Sequence, residues 1–153
     1  MFAYLHSLAR PCRCGIVGGM SPQSRITLRE ASFDDVDPLA SFSHASASDR
    51  ERFLHFVMHV RPGTLWIAQR SGVVVGFVGV EAVGPGHLRP LHVTDLLVHE
   101  GIRRQGWATR LLGMAIGDSP AFAVIPEEAA AMGFFVSQGF ERVSEAEGVW
   151  MVR

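Results

Sequence analysis

The sequence contains no lysine, one tyrosine, two cysteines and no long hydrophobic run. Its charge balance, its cysteines and its short apolar runs each exclude a class of protein. Its 14 basic residues, all arginine, nearly balance 15 acidic residues, which argues against a general nucleic-acid or anionic-membrane binder. Cys12 and Cys14 are too few and too close together for a disulfide framework or a four-ligand metal site. The apolar run at Ile16 and Val17 is far too short to cross a bilayer. The 153 residues, 48% of them hydrophobic, suit one compact domain with a substantial core.

The beginning of the chain differs in composition from the rest. Residues 1–24 contain arginine but no acidic side chain. We expect a disordered tail, or an upstream start codon with the true start at Met20, and an arginine-rich transit peptide is the weaker alternative. The folded domain is therefore predicted to cover residues 25–153.

Apolar periodicity and turn residues divide this domain into strands and helices. The predicted order is strand, two helices, three strands, helix, strand, helix and two strands. The predicted strands are 26–29, 64–69, 73–80, 89–98, 122–125, 140–143 and 148–152. The predicted helices are 32–42, 48–60, a stretch with the apolar spacing of Ala108 to Ala115, and a segment from Pro126 to Gly139.

One stretch carries a chemical signal. An apolar strand ends at Val98, a loop with Arg103, Arg104 and Gly106 follows, and a helix then begins. The first turn of a helix has backbone N–H groups without intrahelical partners, and these groups together with the helix dipole attract anions. Guanidinium groups match phosphate oxygens, so the loop is predicted to bind pyrophosphate. The alternative is a tight strand-to-helix turn with solvated arginines.

Two motifs resemble one known family. Val98 followed by Arg103-x-x-Gly106-x-Ala108 resembles the acyl-coenzyme A signature of the GNAT acetyltransferase superfamily, and Ala131-x-x-Phe134-Phe135-x-x-x-Gly139-Phe140 resembles its last helix. The predicted order of elements is also that of this family. The resemblance implies an α/β (α+β) GNAT fold, with a mixed, mostly antiparallel sheet of six to seven strands flanked by about four helices.

The resemblance implies a function and a set of cofactor contacts. An acetyl group would pass from acetyl-coenzyme A to a small-molecule or protein amine, by direct attack in a ternary complex. In such a protein the backbone N–H of Val98 polarises the thioester carbonyl. The cofactor-binding residues implied by the motifs are Leu96, Leu97, Val98, Arg103, Arg104, Gln105, Gly106, Trp107, Ala108, Thr109 and Phe135. Trp107 either covers the cofactor or packs on a neighbouring helix.

The composition, together with the resemblance, sets expectations for location and partners. We expect a cytoplasmic protein without nucleic-acid, membrane or metal partners, and an exposed sheet edge is compatible with a homodimer.

The chain departs from the family at two positions on the last helix. Phe135 stands where relatives have a tyrosine that protonates the leaving thiolate, and Glu128 stands where an asparagine is common. The only tyrosine is Tyr4, so Ser137 or water would have to assist. The alternative is a non-catalytic acyl-coenzyme A sensor. A less favoured third interpretation is a degenerate fold that has lost the cofactor.

The acceptor side is less well defined. Asp95 is our first candidate for the base that deprotonates the amine, and the alternative is a structural carboxylate bonded to loop backbone. Strict strand alternation places His92 and Thr94 on one sheet face and Asp95 on the other. His44, His55 and His59 fall in the helical region that lines the acceptor cleft in relatives. His55 and His59 could share a helix face, but a metal site is the less favoured interpretation because no acidic partner set accompanies them.

Overall fold

The computed structural model describes residues 25–42, 47–59, 64–85, 89–125, 131–145 and 148–153. Its strands are β1 (Ile26–Glu30), β2 (Leu65–Arg70), β3 (Val73–Ala82), β4 (Leu91–Val98), β5 (Ala121–Ile125), β6 (Glu141–Glu145) and β7 (Gly148–Val152). The helices are α1 (Val36–Phe42), α2 (Ala47–His59), α3 (Trp107–Ile116) and α4 (Ala131–Ser137). Short 3₁₀ turns at Phe33–Asp35 and Glu100–Ile102 precede α1 and α3.

The strands form a single sheet in the order β1-β2-β3-β4-β5-β7-β6. Every neighbouring pair is antiparallel except β4 and β5, which run parallel. The predicted fold class is therefore confirmed, with seven strands and, over the described ranges, four helices. The parallel pairing covers only Leu91 with Ala121 and His92 with Phe122. Beyond these two pairs, the two halves of the sheet separate.

Two hydrophobic clusters lie on opposite faces of the sheet. The helices α3 and α4 contribute Leu111, Leu112 and Phe135 to the larger cluster, which continues along the sheet to Met151. On the other face, α1 and α2 pack on β2 and β3 through a cluster that includes Phe53. Successive strand residues alternate between the faces, so these helices can cover both sides of β3.

An ion pair with a buried carboxylate fixes the start of α1. Both oxygens of Asp35 lie 2.7 Å from guanidinium nitrogens of Arg29, and the N–H and hydroxyl of Ser32 donate to the same carboxylate. Burial by itself would raise the pKa of Asp35, but the hydrogen bonds from Arg29 and Ser32 outweigh it and lower the pKa below its ordinary value. The predicted helix start at Ser32 is thereby explained.

Some predictions lie outside the described residues. They are the tail interpretation of residues 1–24 with Tyr4, Cys12, Cys14 and Met20, the assignments of His44, Pro126 and Glu128, and the side chain of His59. Among the helices that are described, none is long and apolar enough to cross a membrane.

Candidate functional site

The gap between β4 and β5 is lined by backbone groups of β4. The N–H of His99 donates to the carbonyl of Val75 at 2.8 Å, and the register pairs Val98 with Gly76 and Leu97 with Phe77. In an antiparallel ladder this pattern directs the backbone groups of Leu97 toward β3. The neighbouring residues Leu96 and Val98 direct theirs to the opposite side. Of the three predicted pantetheine-binding residues, two therefore present their backbone to the gap.

The loop after β4 is tied back to the end of that strand. The Nε of Arg103 donates to the carbonyl of Val98 at 3.1 Å, and its Nη1 lies 3.7 Å from a carboxylate oxygen of Glu100. The Nδ1 of His99 accepts from the N–H of Gly101 at 3.1 Å. Arg103 thus orders the loop, a role that its charge alone did not predict.

Gly106 is placed to admit an anion at the start of α3. It is the N-cap residue with a φ of 80°, and an added Cβ there would meet no heavy atom within 4 Å. The first turn of α3 contains no acidic residue, and Arg103 and Arg104 are exposed beside it. The N–H groups of the first helical turn have no intrahelical acceptor. Open space, backbone donors and positive charge fit the pyrophosphate of a coenzyme A.

Trp107 packs on the protein. Its half-buried ring contacts the larger hydrophobic cluster, and the guanidinium carbon of Arg110 lies 4.7 Å from the ring centroid. A cation at this distance is attracted to the ring electrostatically. Of the two interpretations of Trp107, packing is the one that these contacts support.

A β-bulge in β4 overturns the predicted separation of the acidic and polar candidates. The register pairs Val80 with Val93 and Gly79 with Asp95, so Thr94 is an extra residue. A Cβ built on Gly79 would lie 2.9 Å from the hydroxyl of Thr94 and 3.3 Å from a carboxylate oxygen of Asp95. Both side chains therefore lie on one face. The prediction of opposite faces was wrong because a bulge adds a residue and breaks the alternation.

His92 lies on this same face of β4. Val93 and Leu91 belong to or pack against the larger cluster, so His92 between them points the other way. Its ring stacks on Phe122 of β5, with centroids 4.8 Å apart and planes 6° apart. The bulge thus gathers His92, Thr94 and Asp95 on the side of the sheet that carries α2.

Asp95 is held by a residue that sequence reasoning missed. The Nη1 of Arg52, on α2, lies 2.8 Å from both carboxylate oxygens of Asp95, whose side chain is 15% exposed. The predicted alternative, a carboxylate bonded to loop backbone, is therefore replaced by a side-chain ion pair. Nothing in the sequence of α2, which also contains Arg50, distinguishes Arg52 as the partner of Asp95.

Thr94 carries a buried hydroxyl in an unusual environment. Over the described ranges its Oγ1 has no hydrogen-bond partner, although it is shielded from solvent. Such groups are costly and uncommon in folded proteins. The hydroxyl therefore has no protein hydrogen bond to lose when a ligand displaces the atoms that cover it.

Phe135 lies in the hydrophobic core. It is 3% exposed and makes edge contacts with Phe134 and Phe140, at centroid distances of 5.5 and 5.1 Å. The hydroxyl of Ser137, the predicted substitute for the missing acid, donates to the carbonyl of Phe134 at 2.6 Å. In this arrangement α4 contributes a core ring and an exposed serine bonded within its own helix.

Comparison with known proteins agrees with this architecture. The profile of the Acetyltransferase (GNAT) family matches residues 28–140. No curated protein sequence matches the chain significantly.

Three solved structures illustrate the likeness in fold. A diaminobutyrate acetyltransferase from Paenibacillus lautus, solved with its substrate and coenzyme A, is 14% identical, with 84% of this chain and 94% of that one covered and a TM-score of 0.66. The PaiA N-acetyltransferase of Thermoplasma acidophilum, in complex with coenzyme A, is 12% identical, with coverages of 84% and 98% and a TM-score of 0.62. The ribosomal-protein-S18-alanine N-acetyltransferase of Escherichia coli is 15% identical, with coverages of 84% and 91% and a TM-score of 0.62. With a family profile matched over most of its length, this chain belongs to the GNAT acetyltransferase family.

Proposed function

We propose that this protein transfers the acetyl group of acetyl-coenzyme A to an amine, on a small molecule or a protein, by direct attack in a ternary complex. The observation that carries the proposal is the gap beside β4, where Leu96 and Val98 present backbone groups just before the anion-binding loop. The diaminobutyrate acetyltransferase, which is similar in fold, binds coenzyme A together with an amine substrate. Family membership and this geometry support the same reaction.

The donor half of the site holds an acyl-coenzyme A. The backbone of Leu96 and Val98 pairs with the pantetheine arm as an added strand would, and the open loop at Gly106 receives the pyrophosphate. When bound, acetyl-coenzyme A supplies a thioester whose carbonyl carbon is open to attack. The N–H of Val98 is our assignment for the donor that stabilises negative charge on the carbonyl oxygen.

The acceptor half lies on the bulged face of β4. Asp95 is our assignment for the group that takes the proton from the amine, with Arg52 holding its carboxylate in place. Thr94 and His92 precede Asp95 on the same face of β4. They offer a hydroxyl and an imidazole to the amine. The new C–N bond forms as the carbonyl π electrons move to oxygen, and the C–S bond breaks when the carbonyl re-forms.

The departing thiolate receives no proton from Phe135. Phenylalanine has no ionisable group, and this ring is enclosed by other rings in the core. We infer that water protonates the sulfur. A positioned general acid contributes about 100- to 10,000-fold, so we expect slower turnover than in a relative with tyrosine at this position.

Calorimetric titration of the full chain with acetyl-coenzyme A tests the proposal, with free thiol measured after amines are added. Saturable binding and amine-dependent thiol release are the expected result. No binding at millimolar acetyl-coenzyme A would refute the proposal. Binding without release, across a broad set of amines, would instead favour an acyl-coenzyme A sensor.

A further inference from the structure

Three aromatic rings form a continuous stack beside the acceptor half of the site. His92 on β4 stacks on Phe122 of β5, and Phe122 stacks on Trp150 of β7, with centroids 5.2 Å apart and planes 20° apart. All three side chains are half-buried. The stack therefore crosses the seam between the two halves of the sheet and keeps part of its surface open.

The stack lies on the face away from the larger hydrophobic cluster. Ala121 and Ala123 of β5, like Met151 of β7, are buried in that cluster, so the alternate residues Phe122 and Trp150 point to the other side. The cluster beneath α1 and α2 contains no residue of β5, β6 or β7 among those described. The helices α1 and α2 thus cover this face of the sheet only as far as the bulge in β4. The three rings lie on the rest of the face, over β4, β5 and β7.

His92 belongs both to this stack and to the acceptor group. Along β4 it is two residues from Thr94, a separation of about 7 Å in an extended strand. A ring joined to a nitrogen by two carbons has a comparable reach. Such a ligand can place its nitrogen at Thr94 and Asp95 while its ring lies against the stack. Glu81, the register partner of His92, adds a half-buried carboxylate that favours a cationic amine.

We infer that the acceptor is a primary amine carrying an aromatic ring on a short linker, and that Phe122, backed by Trp150, selects it. This inference rests on the proposed acetyl transfer. Offset-stacked and edge-to-face ring pairs gain attraction beyond their buried area, because the ring quadrupoles complement one another. A saturated ring of the same size buries a similar apolar area but lacks this attraction between ring quadrupoles. We therefore expect about two- to tenfold selectivity for the aromatic amine.

Steady-state acetylation of 2-phenylethylamine and 2-cyclohexylethylamine by the full chain measures this selectivity as a ratio of kcat/KM. The ratio is expected to exceed one in the wild type and to fall toward one in Phe122→Leu. In Trp150→Leu, which changes the next ring of the stack, the ratio should fall less. Phe33→Leu changes a ring that is 60% exposed and lies outside the stack, so it is the matched control and keeps the wild-type ratio. Thermal melting of each variant confirms that it folds.

The outcomes separate the two proposals. If kcat/KM for 2-cyclohexylethylamine equals or exceeds that for 2-phenylethylamine, the inference of an aromatic acceptor is overturned and acetyl transfer still stands. No transfer to either of these amines or to any other amine tested would overturn the proposed function and this inference with it. A wild-type dimer that Trp150→Arg dissociates would show that a second copy of the chain covers the rings, which would also overturn the inference.

Discussion

The two halves of the sheet differ in how many of their faces are covered. In β3, the successive residues Phe77 and Val78 are 2% and 0% exposed, because helices lie on both sides. In β7, Met151 is 0% exposed while its neighbour Val152 is 41% exposed. Helices cover both faces of the first half, whereas one face of the second half stays partly exposed. The proposed site lies at the seam where β4 leaves β5.

Replacing Met151 with alanine is the strongest test of this contrast. The side chain is fully buried, so its loss should cost about 2–5 kcal/mol through lost transfer energy and a residual cavity. Val152→Ala, one residue later on the open face, should change the free energy of unfolding by less than about 0.5 kcal/mol. Urea unfolding measures both. Similar losses would mean that the open face is covered in solution.

Gly106→Glu tests the proposed pyrophosphate site at the start of α3, beside the seam. A carboxylate at the start of α3 repels pyrophosphate, and its Cβ is strained at a φ of 80°, so acetyl-coenzyme A affinity should fall at least about 100-fold, or about 2.7 kcal/mol. Calorimetric titration measures the loss.

Gly113→Glu provides the matched control for this change. It adds the same charge in the same helix, at an exposed position with no heavy atom within 4 Å of the new Cβ, and should bind normally. Gly106→Asn tolerates the left-handed conformation and separates strain from charge. Undiminished binding by Gly106→Glu would show that the pyrophosphate lies elsewhere.

Two aspartates near α1 make a second matched pair, within the covered half. Asp35 and Asp37 each bind an arginine, at 2.7 and 2.6 Å, but their side chains are 6% and 73% exposed. Asp35→Asn should cost about 1–3 kcal/mol, which allows for the partial exposure of Arg29, and Asp37→Asn close to zero. Chemical denaturation at neutral pH compares them. Equal costs would show that burial does not set the strength of these pairs.

The same carboxylate predicts a dependence on pH. Because the pKa of Asp35 in the folded protein is lower than in the unfolded chain, its stabilising contribution is complete above the unfolded value of about 3.9. The contribution is lost as the pH falls through the lower, folded pKa. The stability difference between wild type and Asp35→Asn should therefore shrink only in strongly acidic solution. A difference that declines between pH 7 and 5 would contradict the assignment.

Local sequence patterns predicted the order of the strands and helices. The order of elements and the loop at Gly106 follow from periodicity and turn residues within short windows, and they are found as expected. The bulge at Thr94 depends on pairing with Gly79, which is distant in sequence. The ion pair of Asp95 with Arg52 likewise joins residues 43 positions apart. Contacts of this kind depend on tertiary packing, which periodicity does not encode.

Thr94→Val gives the smallest expected effect on stability and distinguishes a binding role from a structural one. Valine keeps the shape of threonine and removes an unpartnered buried hydroxyl, so the free energy of unfolding should stay constant or rise. If the hydroxyl contacts the amine, kcat/KM should fall about tenfold, or about 1.4 kcal/mol. Thr27→Val, at an exposed position of β1, removes a hydroxyl with one long contact of 3.5 Å and should leave activity unchanged. Unchanged activity in Thr94→Val, or a parallel loss of stability and activity, would remove Thr94 from the acceptor site, because a ligand-binding hydroxyl affects turnover without supporting the fold.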